Sequence, residues 1–344
     1  MENMENENLS QIENLIKHQK EKVSHIKNMI DLVDLDDIKF EKASIADQQE
    51  SIINIFSNKP AFQVVCAQSG YMAKISALVY KDIVAITNSN LSNLENKKAI
   101  YKVLYSKITG YSAEKFKPTY EQWLEMTSLG DVETLFYGLY CATFQDESSI
   151  RFECPDCGET NVIKINNKQL VRVEDRKEML DLTTRISKEA DTKEKIQEFS
   201  LVANRKENKK SLRLPDSKII ITVKLPSLAK VLDVLKLYDD AELASKSVDA
   251  INILLSIESV AIPDKEKGTY SYVEDKKDFS NLLDILSVDD FSVLKDVVDT
   301  MFDDKHITYC VENQKCSSCK TKFPKIPLDM ENLLFFQISE RQLS

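Results

Sequence analysis

Cys154-Pro155-Asp156-Cys157-Gly158 and Cys316-Ser317-Ser318-Cys319-Lys320 are the two stretches from which the rest of the chain is read. Each sets a pair of cysteines across one tight turn, so that both sulfurs can face one ion while turn N–H groups donate to them. Two such turns supply four thiolates, the tetrahedral set that zinc prefers. Cys154, Cys157, Cys316 and Cys319 are therefore read as ligands of one structural zinc ion. Cys157 and Cys316 stand 159 positions apart, far beyond ordinary zinc-ribbon spacing, so a shared site requires the intervening region to be an insertion whose ends return together. Gly158 suits a positive-φ exit from the first turn, whereas Lys320 in the equivalent place weakens the second. Two incomplete sites, reduced thiols or a redox pair are the competing readings. A redox pair needs a reactive thiolate at a helix start, and strand-like residues bracket Cys154 and Cys157. Cys310 and His306, the nearest other donors, read as packing or surface residues, and Cys66 and Cys141 as core cysteines.

Composition narrows the function classes. The chain is 42% hydrophobic and 30% charged, as in an ordinary globular protein of two or three modules. No apolar run approaches a membrane span, and Met1–Asn8 is acidic where an export signal would be basic and then apolar, so work or assembly in the cytoplasm is expected. A net charge of −10 argues against broad binding to nucleic-acid phosphates. Seven cysteines do not suggest a disulfide framework. The six glycines form neither a phosphate loop nor a dinucleotide fingerprint.

The N-terminal arm carries Leu9, Ile12, Ile16, Val23, Ile26, Ile30 and Val33 in heptad alternation interrupted at Gln19. It reads either as a partner-binding coiled coil or as one amphipathic helix folded onto the body. Helices are expected at 51–56, 96–108, 120–126, 131–144, 227–259, 279–286 and 289–302, with a charged helical stretch at 170–203. Strands are expected at 149–153, 161–165, 218–224 and 307–311. Residues 61–66 and 81–87 fit short strands or buried helical pieces, 205–213 a basic loop, and 333–338 an apolar docking tail. The fold class is α+β, predominantly helical, with a split zinc-ribbon-like β element and an N-terminal helical arm. The expected domains are the arm 1–40, a mixed domain 41–168 ending in the first cysteine turn, an inserted helical subdomain 169–305, and 306–344 with the second turn and tail. A weak internal echo links 131–144 and its following cysteine turn to 290–302 and its own, read as a shared supersecondary unit.

Other candidate chemistry is thin. His18 and His25 share a helical face of the arm without an adjacent ligand and read as solvated. Asp239–Asp240, Asp289–Asp290 and Asp303–Asp304 stand at helix ends, where capping or surface roles are the simpler reading. Trp123 with Tyr120 reads as a packing anchor. The basic stretch 205–213 lacks interleaved aromatics and follows an acidic segment, so nucleic acid is not an expected partner.

Glu121-Gln122-Trp123-Leu124, Asp131, the apolar helix Leu135–Tyr140 and Cys154–Gly158 together resemble baseplate hub and hub-assembly proteins of contractile-tailed bacteriophages. Leu214-Pro215 opening a strand, Cys316–Cys319, Leu328 and Phe335-Phe336 are similar to the later half of that family. The arm and the charged insertion lie outside the resemblance. The resemblance implies a non-enzymatic virion component of the tail baseplate or hub, assembled in host cytoplasm, with other tail and baseplate proteins as partners; the heptad arm adds self-contact as a separate expectation. The absence of an open position on a four-cysteine ion fits assembly better than turnover. The alternative is a zinc-ribbon adapter binding nucleic acid or a polymerase in transcription or replication.

Overall fold

The computed structural model describes residues 44, 61–87, 92–111, 117–144, 147–173, 209–238, 240–264, 266, 268–302 and 307–342. The arm seam from Leu9 to Val33, the segment 51–56, most of the charged stretch 170–203, and His18, His25, His306, Asp239, Asp303 and Asp304 lie outside them. Lys59–Ile338 forms one compact unit, and the fold below is that of this unit.

The first half opens with a hairpin of β1 (Phe62–Cys66) and β2 (Tyr71–Ile75). It runs through α1 (Tyr80–Ile86), α2 (Asn93–Lys107), β3 (Ile108–Tyr111), α3 (Tyr120–Met126) and α4 (Val132–Thr143), and ends in a hairpin of β4 (Glu147–Glu153) and β5 (Thr160–Asn166). After β6 (Val171–Val173) the order recurs. A hairpin of β7 (Lys209–Arg213) and β8 (Ile220–Lys224) leads to α5 (Leu228–Leu237), α6 (Asp240–Ala244), α7 (Val248–Ser256), β9 (Ile257–Asp264), β10 (Thr269–Tyr272), α8 (Asp278–Ile285) and α9 (Val288–Phe302). The hairpin of β11 (Ile307–Lys315) and β12 (Lys322–Pro327) closes the half, followed by α10 (Met330–Gln342).

The recurrence extends to details that element order does not dictate. In each half the second strand is central, in sheets ordered β1-β2-β3 and β10-β9-β8-β7. Each central strand carries one register shift against its neighbour, between Lys74 and Ile75 in β2 and between Thr222 and Val223 in β8. Helix α2 passes directly into β3 as α7 passes into β9, with Ile75 opposite Ile108 and Val223 opposite Ile257. Inward positions correspond too: Tyr71, Ala73 and Ile75 match Ile219, Ile221 and Val223, and Leu135 and Leu139 match Leu294 and Val298, all buried. The echo seen in the sequence is thus a recurrence of the larger unit, with α6 and β10 added in the second half.

Local chemistry explains the elements. Ser92, Thr119, Ser227 and Ser247 each accept an amide from the first helical turn, satisfying a donor that has no partner inside the helix. Helix α4 is buried on nearly every face and lies on β1 and β2 at Gly138. A Cβ there would come within 2.6 Å of Ile75 and 2.7 Å of Val64, so only glycine permits this approach. Trp123 is fully buried and its indole N–H donates to the Tyr71 hydroxyl at 3.1 Å.

The expectation of a predominantly helical protein is overturned. Ten helices share the described residues with twelve strands in four antiparallel sheets. The strands escaped notice for physical reasons. Lys209–Arg213, expected as part of a basic loop, is β7, whose exposed Lys-Lys-Ser run pairs fully with β8. The helical segment expected over 227–259 ends at Ser256, where the apolar run continues as β9 with a different period. Strand β12 carries lysine and proline on a mostly exposed hairpin. The 81–87 piece is helical, and the apolar tail at 333–338 lies within α10.

Candidate metal centre

Both cysteine turns sit at the tips of hairpins and have the same backbone. The Cys154 N–H donates to the Glu159 carbonyl at 2.9 Å, and the Cys316 N–H donates to Thr321 at 2.9 Å. The residue after each second cysteine takes positive φ, 71° at Gly158 and 64° at Lys320, so the lysine does adopt the conformation its position requires. The Lys320 ammonium donates to the Ser317 carbonyl at 2.6 Å. The strands flanking the two turns do not pair with one another. β4 pairs with β5 and β11 with β12, while β6 pairs with the start of β11.

The two tips meet face to face. Cys154 Sγ lies 3.6 Å from Cys319 Sγ, and Cys157 Sγ lies 3.6 Å from Cys316 Sγ. All four sulfurs fall within 4.8 Å of one another. A tetrahedron with metal–sulfur bonds of about 2.3 Å has edges of about 3.8 Å, so the spacing suits one tetrahedral ion and is too long for a disulfide. First and second cysteines exchange places in the two close pairs, which gives the site local two-fold symmetry. Each half of the chain contributes one turn.

Neighbouring groups orient the sulfurs. Asn161 joins the two tips: its Nδ2 lies 3.7 Å from Cys316 Sγ and donates to the Glu159 carbonyl at 3.0 Å, while its Oδ1 accepts the Ser317 N–H at 2.7 Å. Thr321 Oγ1 lies 3.2 Å from Cys319 Sγ and donates to Asp156 at 2.7 Å. Phe152 and Phe323 meet edge to face at 5.3 Å between the hairpins. Asn161, Thr321 and Asp156 drew no attention in the sequence, since nothing in it brings the two turns into register.

The thiols divide by environment. Desolvation pushes Cys316 up, but N–H groups of Cys319 and Ser318 and the Asn161 amide outweigh it and bring the thiol down to about 6. Thr321 likewise lowers Cys319 through its side chain and amide. On the other turn desolvation raises Cys154. At Cys157 the Glu159 amide lowers the thiol, but the neighbouring sulfurs and desolvation together push it up to about 12. Two thiolates form readily and oppose charge on the other two. A divalent cation removes that conflict.

The remaining candidates fall elsewhere. Cys66, Cys141 and Cys310 are buried, and Cys141 donates to the Asn167 carbonyl at 3.3 Å. Asp240 accepts the Asn93 amide at 3.3 Å. Asp290 is no surface residue: it is fully buried and accepts the N–H groups of Asp216 at 2.8 Å and Ser217 at 3.0 Å. Asp131 does the same for Gln68 at 3.2 Å and Ser69 at 2.5 Å. Within the basic stretch, Lys209 pairs with Glu258 at 2.5 Å and Arg213 lies over the Tyr270 ring. Among the described residues no helix is long and apolar enough to cross a membrane.

No curated protein and no solved structure matches the chain. A family model described as T4 bacteriophage base plate protein matches residues 72–329, a span that takes in both cysteine turns and, apart from the first strand and its tip, both copies of the recurrent unit. With most of its length covered, this chain belongs to the T4 bacteriophage base plate protein family, components of the contractile phage tail.

Proposed function

We propose that this baseplate protein is a non-enzymatic structural or assembly component of the hub region, whose two halves are joined by one zinc ion on Cys154, Cys157, Cys316 and Cys319. It works through contacts with other baseplate proteins in the virion tail. The observation that carries the metal reading is the two-fold arrangement of four sulfurs at tetrahedral spacing, supported by amide donors aimed at the thiolates. Zinc suits four sulfurs better than magnesium or calcium, which take oxygen. With all four positions held by protein, the ion has none left for water or substrate, and its contribution is folding energy. The zinc-ribbon adapter is less favoured, because Lys209 and Arg213 of its basic stretch are engaged within the fold.

Native mass spectrometry of the purified chain is expected to find one zinc per chain. Cys316→Ser is expected to abolish stoichiometric binding and lower the melting temperature, and retention of a full equivalent by that variant would exclude the shared site.

A further inference from the structure

The recurrence of the two halves offers an internal control at one position. In the first half Asp82, on α1, is buried beside the Lys107 ammonium at the end of α2, and its Oδ2 also accepts the Val79 N–H at 2.8 Å. The corresponding positions in the second half are Lys230 on α5 and Ser256 at the end of α7. The carboxylate has become an ammonium and the ammonium a hydroxyl. A cavity of about 190 Å³ stands at this place, with Lys224, Lys230 and Lys276 among its lining and Pro226, Leu255 and Ser256 in its walls.

The cavity gathers cations without an internal answer for all of them. No described residue hydrogen-bonds or ion-pairs with the Lys230 or Lys276 ammonium. Desolvation lowers Lys230, the charges of Lys276 and Lys224 add to the effect, and Asp233 and Glu258 oppose it. Desolvation likewise lowers Lys224. Glu258 lines the same cavity but is held by Lys209. Lys230 is half-buried and Lys276 exposed, and ammonium groups that converge on one cavity repel one another until an anion joins them.

We propose that this cavity is a binding site for the carboxylate of an acidic side chain on a neighbouring baseplate protein, taking the place that Asp82 fills in the first half. The size supports it, since a cavity this small is below that of ordinary small-molecule sites and admits one side-chain head but not a nucleotide. The walls support it too, because Pro226 and Leu255 can pack against the methylene stem of an aspartate or glutamate. The site rests on the reading that the chain acts through contacts within the baseplate, and it is independent of the metal.

The probes are sodium acetate and inorganic phosphate, compared with chloride at equal ionic strength on the full chain. Acetate is expected to raise the melting temperature more than either, and Lys230→Gln and Lys276→Gln are each expected to weaken apparent acetate binding about tenfold or more. Replacing Lys230 with Asp together with Ser256 with Lys, which installs the first half's pair, is expected to remove the response. Acetate acting no better than chloride, phosphate acting better than acetate, or an unchanged response in both glutamine variants would overturn the site. A photo-crosslinking residue at Lys276 in assembled baseplates is expected to label an acidic segment of a different virion protein. Labelling confined to the same chain or a second copy rejects the partner assignment. The acetate arm reads the cavity whether or not particles assemble, so failure of this site and failure of the structural role are told apart.

Discussion

The hairpin tips at Cys66–Gly70 and Leu214–Lys218 and those at Cys154–Gly158 and Cys316–Lys320 solve one problem in two ways. All four have positive φ at the last position, at Gly70, Lys218, Gly158 and Lys320. Leu214 donates to the Ile219 carbonyl at 2.8 Å as the first cysteines donate to Glu159 and Thr321. In each, two successive turn amides point inward and need an acceptor. In the cysteine turns the acceptor is the first sulfur, with amides of Asp156 and Cys157 on Cys154 and of Ser318 and Cys319 on Cys316. In the other two it is a buried carboxylate, Asp131 for Gln68 and Ser69 and Asp290 for Asp216 and Ser217. Serines three positions before these aspartates complete the clasp: Ser128 bonds Gln68 at 2.7 Å and Ser287 bonds Asp216 at 2.6 Å. The turn itself therefore does not require a metal. It requires negative charge at one point, supplied by thiolate at one end of each half and by aspartate at the other.

The sharpest test separates the two kinds of tip. Prolonged chelation is expected to accelerate hydrogen exchange strongly at the amides around 154–160 and 316–322, because four crowded thiols would lose the cation proposed to compensate them. The amides of Gln68, Ser69, Asp216 and Ser217 should keep their protection. Equal acceleration at all four tips would mean that the clasps depend on the ion, and the division would collapse.

Removing the carboxylates is the smaller, reciprocal perturbation. Asp131→Asn and Asp290→Asn each exchange a charged acceptor for a neutral one, at a cost of about 1.5–3 kcal/mol in urea unfolding. Asp131 should cost more, because it also accepts the Ser69 hydroxyl at 2.5 Å. Acid should narrow the gap at Asp290. Desolvation raises this carboxyl, but amides of Asp216 and Ser217 and the Ser217 side chain outweigh it and hold it below its ordinary value. Stability from a lowered carboxyl is fully present above the unfolded-state pKa and is lost as pH falls through the folded one. The difference between native chain and Asp290→Asn should therefore shrink on acidification. A gap that widened would remove the charge from the account.

The sequence showed the cysteine pairs because thiolate chemistry confines them to one motif. It hid the clasps because an aspartate at a helix start has a simpler reading as a cap. Asp290 follows Ser287, whose hydroxyl accepts its amide at 3.1 Å, so the local pattern is a genuine capping pattern and only the distant turn reveals the second task. The full extent of the repeat, of which the sequence showed only a weak echo, was hidden for a related reason. Its inward positions hold different apolar residues, Trp123 against Leu282 and Tyr71 against Ile219, all buried, and burial tolerates such exchanges when volume is redistributed. Leu214-Pro215-Asp216-Ser217 beside Cys154-Pro155-Asp156-Cys157 was the available clue to the shared turn, since Pro-Asp recurs where the cysteines do not.

The last position of the turn gives the finest test. An L residue at positive φ costs about 1–2 kcal/mol relative to its favoured conformations, yet two tips use lysine where two use glycine. Both lysines return a hydrogen bond: Lys218 reaches the Pro215 carbonyl at 2.5 Å as Lys320 reaches Ser317 at 2.6 Å. Lys320→Ala keeps the strain and loses the bond, so it should destabilise by about 1 kcal/mol. Lys320→Gly loses the bond but relieves the strain, offset by the added freedom of the unfolded chain, so its net change should stay within about 1 kcal/mol and it should be the more stable variant. At Gly158 an added Cβ meets nothing closer than Glu153 at 3.8 Å, so Gly158→Ala should cost only the conformational strain, about 1 kcal/mol. Denaturant midpoints with zinc saturating decide the order. If Lys320→Gly proves less stable than Lys320→Ala, backbone strain is not what the lysine contact offsets, and the correspondence between the four turns ends at their hydrogen bonds.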